Sequence, residues 1–274
     1  MKRLFCLLCS FMLLLSVAGC GGGGEKSAAP QQEKTLRLAA AASMEKVFNQ
    51  KLIPLYEQQH SGVKIEGVYD ASGKLQAQIE SGLAADVFIS AANKQMLALR
   101  DKGYMANETI SPLLENKLVL IVPKEGKNAA VTGFDTFSAA KRPAIGDPAS
   151  VPAGQYAKEA LTKLRQWDAV QDKVSLGTNV TQVLNWVAEG SADAGLVYAT
   201  DAALLKDKVE VIAEAPSGSL KQPVIYPIGV LKKSSQAELA KDFAAFLQSE
   251  EAMKIFEGYG FTGVKKEEAE RDKK

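Results

Sequence analysis

Two periods of apolar and polar positions alternate along the chain. The opening LRLAAAAS carries a short apolar run at 36–40, and behind it Val47, Phe48, Leu52, Leu55 and Tyr56 share one face of a helix over 45–59. Pro54 inside that helix predicts a kink or a break. Residues 63–69 (VKIEGVY) alternate as a half-buried strand does, and ASGKLQAQIESG starts a short helix at Ser72 that ends near Gly82. A buried strand at 86–90 (DVFIS) precedes a helix over 93–100, and 117–123 (KLVLIVP) is the next strong strand. Pro152 closes an extended segment before a helix opened by Ala153-Gly154, and GTNVTQVL opens another near 178. Strands at 194–198, 209–213 and 222–231 and amphipathic helices over 237–247 and 250–257 complete the pattern. This alternation predicts an α/β fold of βαβ units around a mostly parallel sheet. No Gly/Pro linker separates two domains, so a chain with two lobes would cross between them within strands.

The ends change the picture. Met1-Lys2-Arg3, an apolar run over 4–17 and the small pair Ala18-Gly19 have the order of a secretory signal, too short to span a membrane. Val17-Ala18-Gly19-Cys20 resembles a lipobox, which implies a leader at 1–19 and acylation of Cys20. The mature chain would then be extracytoplasmic and lipid-anchored to a bacterial membrane. Residues 20–34 read as a flexible tether and 265–274 as a charged tail. Of the three cysteines, Cys6 and Cys9 would leave with the leader and Cys20 would carry lipid, so stability must come from a core and not from a disulfide. The roughly 235 residues that remain suffice for one.

Charge excludes more than it suggests. The formal net charge is +1, and loss of Lys2 and Arg3 makes it −1, which points to neither nucleic acid nor an anionic surface as a partner. The single histidine, His60 in QQHSG, reads as a solvated loop residue; with no GxSxG elbow and no CxxC pair, acid/base and nucleophilic chemistry have few candidates. The chain reads as a binder and not an enzyme, with no cofactor and no metal held directly by side chains.

Four strand-to-helix junctions then stand out: Ser43 in AAAS, Ser72 in YDASGKL, Ala153-Gly154 in GDPASVPAG, and Val180 in GTNV, where Thr178 or Asn179 is the cap. None opens with Lys or Arg. A helix start offers N–H groups without intrahelical acceptors and about half a positive charge, so several converging starts would hold an anion without any cationic side chain. The plainer reading is that every α/β protein has such junctions and serine caps are common. Spacing alone leaves both open.

AAAS at 40–43, YDASGKLQAQIESGLAADVFISA at 69–91, GDPASVPAGQYAKEAL at 146–161, GLVYATDA at 195–202 and YGFTGV at 259–264 resemble the extracytoplasmic molybdate-binding proteins of ABC importers, over essentially 35–264. The resemblance implies a type II periplasmic-binding-protein fold, α/β, with two lobes of mixed sheets joined by a two-strand hinge: lobe 1 from 35–116 plus 226–264, lobe 2 from 117–225. It implies ligand contacts from the hydroxyls and N–H groups of Ser43 and Ser72, the N–H groups of Ala153 and Val180, and the phenol of Tyr198. By itself Tyr198 reads as a core tyrosine at a strand end. Two departures stand out: Ala71-Ser72-Gly73 lacks the run of serines the family shows there, and Asn179-Val180 falls in a variable region. Asp70 and Asp147 would repel a dianion and read as turn or capping residues, and Trp167 and Trp186 as core or lobe surface. The implied ligand is molybdate, with tungstate, and the implied partners are a membrane permease and its cytoplasmic ATPase, served by a monomer. Other readings are the same fold binding another tetrahedral oxyanion such as sulfate, a serine-dependent hydrolase using Ser43 or Ser72, and a surface interaction lipoprotein without a ligand.

Overall fold

The computed structural model describes residues 33–126 and 128–264; the leader, Cys20, the tether up to residue 32 and the tail at 265–274 lie outside the described residues. Strand β1 (Lys34–Ala41) starts ahead of the apolar run at 36–40, because Lys34 already pairs with Val63. The helical stretch at 45–59 runs as α1 (Glu45–Val47), a π turn (Phe48–Leu52) and α2 (Ile53–Gln59), with the Ile53 N–H reaching back to the Phe48 carbonyl. Pro54 has no N–H to offer the carbonyl four residues before it, and the wider turn absorbs that loss without breaking the helix.

Strand β2 (Val63–Asp70), helix α3 (Ser72–Glu80), strand β3 (Val87–Ile89) and helix α4 (Asn93–Asp101) follow as the periodicity predicts. The short strand β4 (Ser111–Asn116), which carries Pro112 and shows no clean alternation, leads through Lys117 directly into β5 (Leu118–Pro123). Then come β6 (Pro143–Gly146), α5 (Pro152–Lys163), α6 (Trp167–Val170), β7 (Ser175–Gly177), α7 (Val180–Ala188), β8 (Ala194–Tyr198), α8 (Ala199–Leu204) and β9 (Val209–Glu214). Strand β10 (Val224–Val230), helices α9 (Ala237–Leu247) and α10 (Glu250–Gly258) and the two-residue β11 (Thr262–Gly263) close the described chain.

The strands form two sheets, ordered β11-β4-β10-β3-β1-β2 and β7-β6-β8-β5-β9. Both are mixed, as the resemblance implies and unlike the mostly parallel sheet that alternation alone predicts. The βαβ units supply parallel pairs (β1 with β2 and β3, β6 with β7 and β8), while β10 runs antiparallel to β3 and β4, and β5 antiparallel to β8 and β9. The antiparallel strands are those by which the chain leaves one sheet after Asn116 and returns to it at Val224, without a helical crossover to enforce a parallel direction.

One apolar cluster joins the two sheets: Met44, Ala71 and Ala91 on one side meet Ala153, Val180 and Tyr198 on the other. Behind β1, Phe48, Tyr56, Phe243 and Phe256 pack α2, α9 and α10 onto the first sheet. His60 belongs to this wall and is not simply solvated. Its ring stacks on Tyr56 at 3.9 Å, and its Nε2 lies 3.2 Å from Asp242 Oδ2, the same oxygen that accepts the Tyr56 hydroxyl at 2.6 Å. The packing of α9 against the end of α2 places that carboxylate there, a contact 182 positions away in sequence and invisible in QQHSG.

Candidate functional site

Ser43 sits in a 3₁₀ turn (Ala42–Met44) that begins where β1 ends, and it is 6% exposed. The alanines before it are the buried end of the strand. Its hydroxyl caps nothing; Oγ lies 2.9 Å from the Tyr226 hydroxyl of β10. Ser72 is the first residue of α3 and fully buried, and it does not cap its helix either: its Oγ accepts the N–H of Ala91 at 3.0 Å. The ordinary explanation of a serine at a helix start, a side-chain bond back to the first turn, therefore fails at both positions. Asn179 is the residue that does cap, accepting the N–H of Gln182 at 3.0 Å and so leaving Val180 first in α7. Ala153 is second in α5, after Pro152, whose fixed φ suits a first turn.

Contacts across the two sheets bring these starts together. The Gly73 N–H at the start of α3 donates to the Ser150 carbonyl, just ahead of α5, at 2.9 Å. Asn179 Nδ2 reaches Asp70 Oδ1 at 3.4 Å, and α7 packs on the turn that holds Ser43. The Tyr198 hydroxyl, at the end of β8, donates to the Ala91 carbonyl at 3.5 Å, so Tyr198 and Ser72 meet at one residue. The rings of Tyr198 and Tyr226 meet edge to face at 5.6 Å, linking Tyr198 back to Ser43. Of the five residues, Ser43, Ser72 and Tyr198 are tied through Ala91 and Tyr226, while Ala153 and Val180 join through backbone and cap contacts.

First-turn N–H groups have no intrahelical acceptor. Among the described residues, none of the loop, cap or side-chain hydrogen bonds uses the N–H of Ser43, Ser72, Ala153 or Val180. Among the described residues, the side-chain hydrogen bonds of Ser43, Ser72 and Tyr198 involve no lysine or arginine. Asp70 is occupied locally, accepting the Ala71 N–H at 2.7 Å and facing Lys74 Nζ at 3.5 Å, and Asp147 accepts the Ala149 N–H at 2.9 Å. Burial pushes the Tyr198 and Tyr226 phenols well up, so both stay protonated and able to donate. The result is a buried cluster of uncharged donors drawn from both sheets.

Two neighbours carry no sequence signal, and a third, Asp201, lies inside the GLVYATDA motif. Tyr226 lies in the apolar run QPVIYPIGV and Asn116 just ahead of the strand at 117–123, yet Asn116 Nδ2 reaches both Tyr226 Oη at 3.3 Å and Thr200 Oγ1 at 2.9 Å. Asp201, in the first turn of α8, is 1% exposed and accepts the Tyr198 N–H at 3.3 Å; burial raises its carboxyl from 3.8 to about 7.

Comparison with known proteins places this architecture. Residues 36–262 match the model for bacterial extracellular solute-binding proteins. YvgL of Bacillus subtilis (strain 168), provisionally named an ABC transporter substrate-binding lipoprotein, is 44% identical over 228 residues, which cover 83% of this chain and 86% of that one. The molybdate-binding protein ModA of Haemophilus influenzae is 39% identical over 227 residues, covering 81% and 88%. The periplasmic molybdate-binding protein of Azotobacter vinelandii superposes with a TM-score of 0.72 at 22% identity, over 84% of this chain and all of that one, and so shares the two-lobed fold. The match to a solute-binding family replaces the hydrolase reading with that of a binding protein. The chain belongs to the bacterial extracellular solute-binding proteins.

Proposed function

We propose that this chain captures molybdate, and tungstate with it, between its two sheets and delivers it to an ABC permease driven by a cytoplasmic ATPase. The observation that carries the reading is the donor set: N–H and O–H groups at Ser43, Ser72, Ala153, Val180 and Tyr198, converging from both sheets without a cationic side chain among their hydrogen bonds. The ModA relative, named for molybdate, supports the same choice. A bare tetrahedral dianion accepts at every oxygen and brings no proton. Hydrogen phosphate brings one, and with no acceptor to meet it loses about 1–3 kcal/mol. Sulfate is also a bare dianion, so size must exclude it: a smaller tetrahedron cannot reach every donor of a closed site, and each charged hydrogen bond forgone costs about 1.5–3 kcal/mol.

In this reading residues 35–116 plus 226–264 form one lobe and 117–225 the other. The strands that cross between the sheets act as the hinge, and ligand shifts the population toward closure because only the closed form offers all donors at once. The protein acts as a monomer held to the membrane through lipid on Cys20. Isothermal titration with molybdate, tungstate, sulfate and phosphate tests the assignment. Tight binding of the two metal oxyanions alone is expected. Sulfate bound as tightly as molybdate would overturn the size argument and make the chain a general dianion binder.

A further inference from the structure

A serine hydroxyl can donate one proton and accept twice, so its use toward an anion depends on which role the protein leaves open. For Ser43 that choice starts at Asn116, where the chain crosses from one sheet to the other. Asn116 Oδ1 accepts the Lys117 N–H at 2.8 Å, which turns Nδ2 toward Thr200 Oγ1 at 2.9 Å and Tyr226 Oη at 3.3 Å. The Tyr226 oxygen is thus approached by the Asn116 donor, and its hydroxyl lies 2.9 Å from Ser43 Oγ, a pair in which either oxygen can donate. Tyr198 meets Tyr226 through the rings and through a hydrogen bond between the phenols, and Ser43 Oγ lies 2.9 Å from the Tyr226 hydroxyl.

We propose that Asn116 and Tyr226 are positioning residues: the ordered chain Asn116 N–H to Tyr226 O–H to Ser43 makes Ser43 an acceptor toward the protein and a proton donor toward the oxyanion. This rests on the reading that Ser43 meets the oxyanion. Ser72 is held in the same sense by a different donor, because the Ala91 N–H occupies one of its lone pairs at 3.0 Å. Both serines then face the ligand proton first. Bonds aligned in one direction polarise one another, which strengthens the last of them. Burial and the nearby Asp201 keep the phenol of Tyr226 protonated, so the chain holds its direction. A fully deprotonated anion matches this order, whereas one that still carries a proton finds a donor where it needs an acceptor.

A double-mutant cycle on the full chain, titrated calorimetrically with sodium molybdate, tests it. If Ser43→Ala leaves binding unchanged, the ligand reading itself fails. If Ser43→Ala weakens binding, Tyr226→Phe is expected to weaken it about tenfold, and Ser43→Ala with Tyr226→Phe to be no weaker than Ser43→Ala alone. Asn116→Leu, similar in volume, should act in the same direction with a smaller loss that also vanishes in the Ser43→Ala background, and it carries the cycle if Tyr226→Phe does not fold. Inorganic phosphate provides a second readout. In Tyr226→Phe the molybdate-to-phosphate affinity ratio should fall, because Ser43 is freed to accept a proton; a merely loosened site would weaken both anions together. Additive losses, an unchanged ratio, or coupling of Tyr226→Phe to Tyr198→Phe in place of Ser43→Ala would each overturn the inference.

Discussion

Gly73 lies one residue after Ser72, with its N–H 2.9 Å from the Ser150 carbonyl oxygen just ahead of α5. A Cβ built on residue 73 would stand 2.5 Å from that oxygen and 2.9 Å from Ser150 Cα, where ordinary contact begins at 3.4 Å. Both atoms are backbone, so no rotamer change relieves the clash; the start of α3 and the loop before α5 must part by about 0.9 Å, the difference between 3.4 and 2.5 Å. Gly73→Ala therefore pushes these two segments apart without changing the identity of any proposed ligand residue. Folding should not suffer, since alanine is favoured over glycine within a helix by about 1 kcal/mol. The donors on the far side, Ala153, Val180 and Tyr198, would be drawn back from an anion held by Ser43 and Ser72. Losing one or two charged hydrogen bonds at about 1.5–3 kcal/mol each weakens molybdate binding by between about 10-fold and about 10⁴-fold. Calorimetric titration gives the dissociation constant, and a thermal melt without ligand gives stability. The expected result is an unchanged or higher melting temperature with a much weaker Kd. A Kd within twofold of the parent would show that closing this contact plays no part in binding.

Ser43→Ala combined with Ser72→Ala should weaken molybdate binding by orders of magnitude, with a far-ultraviolet circular dichroism spectrum and cooperative melting like the parent's; an unchanged Kd would remove both residues from the site. Asp201 has a carboxyl raised from 3.8 to about 7 in the folded protein, so the folded state holds this proton more tightly than the unfolded chain. Its contribution to stability is fully present below pH 3.8 and lost as pH rises through about 7. Asp201→Asn should abolish that loss: in urea denaturation its stability relative to the parent should grow between about pH 4 and pH 8 by on the order of 4 kcal/mol, and a pH-independent difference would contradict the assignment. Asp193, 8% exposed, accepts the N–H groups of Lys141 at 2.9 Å and Arg142 at 2.8 Å. Asp193→Ala leaves two backbone donors without their acceptor and should lower denaturation stability by about 2–4 kcal/mol without changing the Kd of the folded fraction.

The amino-acid sequence by itself determined the α/β class, most of the longer elements and the junctions worth watching, because periodicity, capping and turn chemistry act over a few neighbouring residues. It also carried the motifs at Ser43, Ser72, 146–161 and 195–202, and their resemblance to the molybdate-binding proteins, not their spacing, implies the five contact residues. Tertiary structure decided what those residues face. The two serines look alike at the level of local pattern, yet one hydroxyl meets a phenol 183 positions away and the other a backbone N–H 19 positions away. The His60–Asp242 pair and the hydrogen-bond chain from Asn116 to Ser43 were likewise illegible. They arise only where two sheets and their helices pack together, and no local periodicity records which distant side chain will arrive there.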